Sequence, residues 1–149
     1  MKLCVALTLV ACVQAQQPRF RNVAAEAGLR FTLANSPTAE KRMVETMPGG
    51  VAAFDFDNDG LIDIFFTNGA SLPSMKKDSP AYSNRLFRNE GGMRFRDVTA
   101  TAGLTGEGYS MGVAAGDFDG DGLTDLFVAG VRHNILYRNL GNGDRKSVV

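Results

Sequence analysis

The sequence predicts an all-β protein built from β-propeller blades, and three observations carry this prediction. An acidic loop occurs twice, at residues 55–63 and 117–125, in the same sequence context. Short apolar segments bounded by Gly and Asn follow each loop and are typical of buried strands. The repeating unit measures about 60 residues and holds four strands, which is the size of one blade. We therefore expect about two four-stranded blades of an incomplete propeller, since closed propellers have roughly four to eight.

The N-terminus has the composition of an export signal. A short positive start precedes an apolar segment and the small-residue cleavage motif Val13-Gln14-Ala15. We assign residues 1–15 to a signal peptide and predict a secreted or extracytoplasmic protein. The alternative is a lipid anchor through Cys12, because Leu9-Val10-Ala11-Cys12 resembles a bacterial lipobox. The other cysteine, Cys4, lies in the same segment, so no disulfide is expected in the mature domain.

Charge and segment length argue against a nucleic-acid partner and against a transmembrane segment. The chain has 16 basic and 16 acidic residues, for a formal net charge of 0. This balance lacks the basic excess that marks nucleic-acid-binding domains, so we predict no nucleic-acid partner. The apolar segment at the N-terminus is too short to cross a bilayer, and we predict no transmembrane segment.

The mature chain is predicted to divide into three parts. Residues 16–48 form an N-terminal segment that carries the last strand of a preceding blade, at Phe20–Val23. Residues 49–98 form the first blade, and residues 99–143 form a second, incomplete one. The first blade contains an insertion at residues 70–83 that the second lacks. Such surface loops often carry binding specificity.

Residues 144–149 are predicted to be a non-native tail. The motif Phe95-Arg96-Asp97-Val98 ends the first repeat and has no counterpart after Gly141-Asn142-Gly143. The tail can be encoded by GATCGGAAGAGCGTCGTG, which resembles a common sequencing adapter. We therefore expect a truncated fragment, and different codons in the coding DNA would refute this.

The acidic loops are predicted to be two structural calcium sites. Four like charges so close together repel one another by about 1 kcal/mol per close pair in water unless a cation offsets them. Ca²⁺ takes roughly six to eight oxygen ligands in irregular geometry, whereas Mg²⁺ prefers an octahedron that retains waters. The predicted ligands are aspartate side chains and two leucine carbonyls: Asp55, Asp57, Asp59, Leu61 and Asp63 in the first loop, and Asp117, Asp119, Asp121, Leu123 and Asp125 in the second.

These loops differ from EF-hand loops. An EF-hand requires a bidentate Glu at its twelfth position, which Phe66 and Val128 occupy here. The loops therefore join strands and not helices. Gly60 and Gly122 allow the backbone to turn sharply around an ion.

The wider pattern resembles a known family. The loops are similar to the calcium loops of FG-GAP/VCBS repeats, the units of the integrin α-subunit propeller. The chain is closer still to bacterial exported proteins of the ASPIC/UnbV, cartilage-acidic-protein-like group, which it resembles at Phe20–Leu29, Glu45–Gly50, Asn84–Asn89 and Phe95–Leu104. The resemblance implies a propeller of about seven blades, calcium within the blades, and a role in adhesion or binding, with a protein or glycan as ligand.

One motif resembles a hydrolase nucleophile. Gly108–Gly112 matches G-x-S-x-G, with Ser110 as nucleophile and His133 as base, but such an elbow must follow a strand and open a helix. A metal loop follows the motif here, so we predict that the protein is not an enzyme. The alternative function is the non-catalytic propeller part of a larger exported enzyme or redox assembly.

Several other polar and aromatic residues are expected at the surface. Lys76 and Lys77 are predicted to be a solvated pair, and Tyr82 and Tyr109 to be exposed aromatics open to a partner. The arginines are expected at strand edges, solvated or paired with acidic neighbours: Arg85, Arg88, Arg94, Arg96 and Arg138.

Overall fold

The computed structural model describes residues 17–47, 49–141 and, for the backbone, 145–148. The predicted signal peptide, including Cys12, lies outside these residues. Two four-stranded antiparallel sheets make up the structure, which confirms the predicted all-β class. The helices of the described residues are 3-10 turns, at Met43–Thr46 and Pro80–Tyr82. No helix in the described ranges is long and apolar enough to cross a membrane.

The first sheet contains four strands in chain order, each antiparallel to the next. They are β1 (Val51–Phe54), β2 (Asp63–Phe66), β3 (Arg85–Asn89) and β4 (Phe95–Asp97). Exposed and buried residues alternate along β1, because successive side chains of a strand point to opposite faces. One face of this sheet therefore belongs to the core.

The second sheet repeats this order with β5 (Ser110–Gly116), β6 (Asp125–Gly130), β7 (Asn134–Asn139) and β8 (Arg145–Val148). Strand β8 forms although the sequence there lacks the Phe-x-Asp-Val motif, and the second sheet thus has the fourth strand that was not expected. Ladder hydrogen bonds use backbone groups that all residues except Pro supply in full, so pairing needs no particular motif. The foreign origin of residues 144–149 stays a prediction.

Two predicted strands near the N-terminus do not form. Phe20–Val23 and Arg30–Leu33 are irregular in the structure, and the Phe20 side chain is 98% exposed. A strand needs a neighbour to satisfy its N–H and C=O groups, and no strand of the described residues pairs with either segment. Phe31 instead stacks on Phe66 of β2, with ring centroids 4.6 Å apart.

The turn that follows each Phe-x-Asx-Val motif folds the same way twice. Residues 23–29 and 98–104 make three equivalent backbone hydrogen bonds each. The Asn22 and Asp97 side chains accept the N–H two residues ahead, at 3.0 and 2.9 Å. The local sequence therefore sets this turn whether or not a strand precedes it.

One hydrophobic core lies between the two sheets. Strands β1 and β5 face each other across it, and the amide of Asn139 links the sheets by donating to the Phe56 carbonyl at 3.2 Å. The core residues of the strands are Ala52, Phe54, Phe65 and Leu86 from the first sheet, and Leu126, Val128, Ile135 and Tyr137 from the second.

The second sheet repeats on its outer face the residues that the first sheet buries. In strand register, Phe127 of β6 corresponds to Phe65 of β2, and Leu136 corresponds to Leu86. Phe65 is fully buried, whereas 43% of Phe127 is exposed. The second sheet covers this face of the first sheet, whereas no sheet among the described residues covers the corresponding face of the second sheet, which carries Phe127.

The insertion at residues 70–83 is anchored by Lys77. Its ammonium group donates to the carbonyls of Asn68, Gly69 and Tyr82, at 2.8, 2.8 and 2.6 Å. Burial lowers the pKa of Lys77 to about 7, while the three acceptors favour the charged form. The prediction that Lys77 is solvated is therefore wrong, because the loop folds back over this side chain, whereas Lys76 is exposed.

Candidate metal centres

Both acidic loops leave their sheets at the same point. Phe54 pairs with Asp63 where the β1–β2 hairpin opens, and Gly116 pairs with Asp125 where the β5–β6 hairpin opens. The last Asp of each loop is thus the first residue of a strand. The hairpin fixes its position relative to the rest of the loop.

The first Asp of each loop organises the loop backbone. Asp55 accepts the N–H groups of Asp59 and Gly60, at 3.1 and 2.8 Å. Asp117 accepts three N–H groups in the second loop, that of Gly122 at 2.8 Å. These backbone bonds, that from Gly122 foremost, lower the pKa of the Asp117 carboxyl and keep it charged at neutral pH.

The last Asp of each loop is buried and held on both oxygens. Asp63 accepts the N–H of Phe56 on Oδ2 and that of Asn89 on Oδ1, both at 2.7 Å. Asp125 makes the two equivalent bonds in the second loop. Burial raises the pKa of the Asp63 carboxyl, although both N–H donors oppose the shift. A cation nearby would favour the charged form.

Carboxylate oxygens converge at the same three positions of each loop. They lie within 4.8 Å of one another in two groups: Asp55, Asp57 and Asp63, and Asp117, Asp119 and Asp125. Ligands on opposite sides of a Ca²⁺ are about 5 Å apart, twice a bond of about 2.3–2.6 Å. The spacing therefore accommodates one such ion per loop.

One buried oxygen in the first loop lacks a partner. Oδ1 of Asp57 has no hydrogen-bond donor among the described residues. A buried carboxylate oxygen left unpaired is unfavourable unless a cation or water meets it. The hard oxygen ligands, their spacing and this unpaired atom fit a divalent cation such as Ca²⁺.

The third Asp of each loop lies outside these groups of three. Oδ1 of Asp59 accepts the N–H of Leu61 at 2.8 Å, and Oδ1 of Asp121 accepts that of Leu123 at 2.9 Å. Their second oxygens face arginine side chains. Coordination of an ion stays a prediction for all the site residues, and these two aspartates and the leucine carbonyls lie outside the groups of three that the structure brings together.

Two arginines contact the loops, although the sequence had placed them only among the strand-edge arginines. Arg88 of β3 lies with Nε 2.5 Å from Oδ2 of Asp57, and its Nη2 donates to Oδ2 of Asp59 at 3.0 Å. Arg138 of β7 contacts the second and third Asp of its loop in the same way, at 2.6 and 3.3 Å. The sequence signal that could have linked these arginines to the loops is the Arg-Asn pair that ends both β3 and β7 at the same place in the repeat.

Two positions of each loop have left-handed backbone. Gly60 and Gly122, the predicted turn residues, have φ of 84° and 85°. Asn58 and Gly120 form a second such pair, with φ of 59° and 75°. Asn adopts this region more readily than other non-glycine residues, so both loops follow the same path despite this difference.

The residues of the hydrolase-like motif lie in other surroundings. Ser110 is the first residue of β5, 1% exposed, and its Oγ has no partner within the described part of the chain. His133 lies with Nε2 3.3 Å from the Glu107 carbonyl. Strand β5 continues through Ser110 to Gly116, so the strand-to-helix turn of a nucleophile elbow is not formed there.

The two tyrosines expected at the surface are not fully exposed. Tyr109 is completely buried and donates to the Asn35 carbonyl at 3.2 Å. Tyr82 is half-buried, and its hydroxyl accepts a hydrogen bond from Ser36 at 2.8 Å. The prediction of an exposed Tyr109 is therefore wrong, because the ring packs beneath the segment that contains Asn35.

Comparison with known proteins agrees with the repeat found in the sequence and the sheets. The FG-GAP-like repeat family matches residues 55–128. Over 83 residues, 53% of this chain, the sequence is 36% identical to cartilage acidic protein 1 of Mus musculus and to that of Homo sapiens. The chain covers 12% of the length of these relatives. It is an FG-GAP repeat protein, similar over about half of its length to cartilage acidic protein 1.

Proposed function

We propose that this chain is part of an extracellular, adhesion-type propeller scaffold without catalytic activity, and that each acidic loop holds one Ca²⁺. The observation that carries the proposal is the recurrence of one carboxylate cluster, in one strand register, in both sheets. The FG-GAP-like repeat and the similarity to a cartilage protein support the extracellular scaffold.

Calcium in these loops has a structural role. Each loop carries four carboxylates against one contacting arginine, and the last carboxylate is buried. A bound cation supplies positive charge where the hairpin opens and joins the end of one strand to the start of the next. Both cysteines lie in residues 1–15, so the ion takes the place of a disulfide in stiffening the loop.

The ligands in the first loop are Asp55, Asp57 and Asp63, completed by Asp59 and the Leu61 carbonyl. The second loop uses the equivalent residues: Asp117, Asp119, Asp121, Leu123 and Asp125. Extracellular modules bind calcium with dissociation constants of about 10⁻⁴ to 10⁻³ M, which extracellular calcium suffices to occupy. The scaffold is therefore filled after export and empty before it.

The partner contact of the scaffold lies at the insertion. Residues 70–83 expose Pro73, Lys76, Asp78 and Pro80, while Lys77 ties the loop to the segment that follows β2. A loop held in one conformation loses less entropy when a protein or glycan binds. Deleting residues 73–75 would test whether this surface contacts the partner, because the deletion shortens the exposed tip of the loop and keeps Lys77.

Isothermal titration of the full chain with CaCl₂ tests the metal sites. We expect two bound ions, and one ion in each of the variants Asp57→Asn and Asp119→Asn. Asp78→Asn, an exposed aspartate outside the loops, serves as the matched control and retains both ions. Absence of binding to the wild-type chain, or two ions in every variant, would refute the proposal.

Export is tested by expressing the full chain and sequencing the N-terminus of the product. Cleavage after Ala15 would place Gln16 first in a secreted protein. Incorporation of labelled fatty acid that is lost in Cys12→Ser would instead identify a lipid-anchored protein. A product that keeps Met1 inside the cell would contradict export.

A further inference from the structure

The two arginines that face the acidic loops occupy equivalent positions and make the same contacts. In both loops Nε approaches the second Asp and Nη2 the third, in each case on Oδ2. Arg88 lies in β3 and Arg138 in β7, so each arginine comes from the strand next to the hairpin that carries its loop. Two independent copies of one geometry indicate a built feature and not a chance surface pair.

Each guanidinium leaves the other oxygens of these aspartates free of arginine. Arg88 contacts Oδ2 of Asp57 and Oδ2 of Asp59. Oδ1 of Asp57 remains buried without a donor, and Oδ1 of Asp59 takes the Leu61 N–H. The arginine therefore contacts one oxygen of the Asp57 carboxylate and leaves the other available to an ion.

The arginine changes the net charge of each acidic loop. Four aspartates and one arginine leave a loop with a formal charge of about −3, where the aspartates alone would give −4. The guanidinium offsets repulsion between the second and third carboxylates at all times. It also reduces the attraction that the loop exerts on a divalent cation.

We propose that Arg88 and Arg138 are built-in counter-cations that keep the acidic loops folded without calcium and weaken calcium binding in exchange. This inference rests on the proposed calcium sites. It assigns the two arginines opposite effects on loop stability and on ion affinity, which a merely structural salt bridge would not have. On this inference the loop stays folded during synthesis and export in low calcium and takes up the ion outside the cell.

The test measures calcium affinity and melting temperature of Arg88→Gln in the full chain. An Asp119→Asn background removes calcium binding by the second loop, so that the measured calcium affinity is that of the first loop. We expect Arg88→Gln to lower the melting temperature in EGTA and to tighten calcium binding about tenfold at low salt, because one positive charge near the ion is removed. The tightening is expected to shrink at high ionic strength.

Two control variants separate charge from geometry. Arg88→Lys keeps the charge and is expected to retain calcium affinity within about twofold of the parent, even if the two-pronged contact is lost. Arg85→Gln removes an arginine of the same strand that pairs with Asp97, outside the loop, and is expected to leave calcium affinity unchanged. Arg138→Gln in an Asp57→Asn background repeats the test for the second loop.

The outcomes distinguish this inference from the proposed function. A parent chain that binds no calcium refutes the calcium sites themselves. If the parent binds calcium and Arg88→Gln binds it equally well or more weakly, the calcium sites stand and the counter-cation role is overturned. Tighter binding with an unchanged melting temperature in EGTA also overturns it, because the arginine would then not hold the loop.

Discussion

At the scale of single residues, buried charges in this protein are met by backbone groups. Asp63 is fully buried and accepts hydrogen bonds from two backbone N–H groups. Lys77 donates three hydrogen bonds to three backbone carbonyls. A buried charge is tolerated when it is fully hydrogen-bonded. Asp63 joins its loop to Asn89 of β3, and Lys77 joins the two ends of its own loop, so each residue holds a loop in one conformation.

Replacing Lys77 by Met tests this role. Lys77→Met leaves the carbonyls of Asn68, Gly69 and Tyr82 without their ammonium donor. We expect the free energy of unfolding to fall by about 1–3 kcal/mol, the cost of unsatisfied buried polar groups. Urea denaturation measures the change. Lys76→Met, at the exposed neighbour, is expected to stay within about 0.5 kcal/mol, and equal losses in both variants would contradict the role of Lys77.

The pH dependence of stability provides a second test of the same side chain. Burial lowers the pKa of Lys77 to about 7, below its value of about 10.4 in an unfolded chain. The unfolded state thus binds more protons between these values, and stability rises with pH across that window and falls as pH decreases through about 7. We expect this slope in the wild type to exceed that of Lys77→Met. Parallel profiles would show that the three carbonyls fully offset burial.

At the scale of elements, the turn at residues 23–29 packs on strand β4. The N–H of Phe95 donates to the Ala27 carbonyl at 2.8 Å. Gly28 has φ of 85°, and a Cβ placed there would lie 2.4 Å from the Phe95 carbonyl oxygen. The first turn of the chain therefore abuts the outer strand of the first sheet through a position that only Gly fits.

Gly28→Ala is expected to lower the free energy of unfolding by about 2 kcal/mol or more, since left-handed backbone and a backbone clash act together. Thermal or urea denaturation measures it. Gly116→Ala is the matched control, because a Cβ at Gly116 meets nothing within 4 Å and its φ is not positive. A Gly28→Ala protein as stable as the control would show that this turn moves freely from β4.

At the scale of the whole molecule, the two sheets hold each other through one core. Residues at equivalent positions of the repeat are buried in the first sheet and exposed in the second. Phe56 and Phe65 are 4% and 0% exposed, whereas Phe118 and Phe127 are 54% and 43% exposed. Equivalent residues therefore differ in their contribution to the free energy of unfolding, because the burial of each residue depends on whether another sheet lies against it.

Phe65→Ala and Phe127→Ala measure this difference at one repeat position. We expect Phe65→Ala to cost about 3–5 kcal/mol by leaving a cavity between the sheets. Phe127→Ala removes a half-exposed ring and is expected to cost less than about 1.5 kcal/mol. Denaturant unfolding of both variants gives the comparison. Equal costs would mean that the outer face of the second sheet is covered in solution as the face of the first sheet is.

The sequence by itself determined the all-β class, the two repeats and the position of the acidic loops. These features depend on local chemistry: the alternation of strands, the left-handed glycines and the spacing of aspartates. Tertiary structure decided the environments of Lys77, Tyr109, Arg88 and Arg138, which sequence reasoning misplaced or left unconnected to the loops. It also decided that Phe20–Val23 forms no strand and Arg145–Val148 does. The physical reason is that strand pairing, burial and ion pairing join residues far apart in the chain, so no local pattern specifies which partner is present.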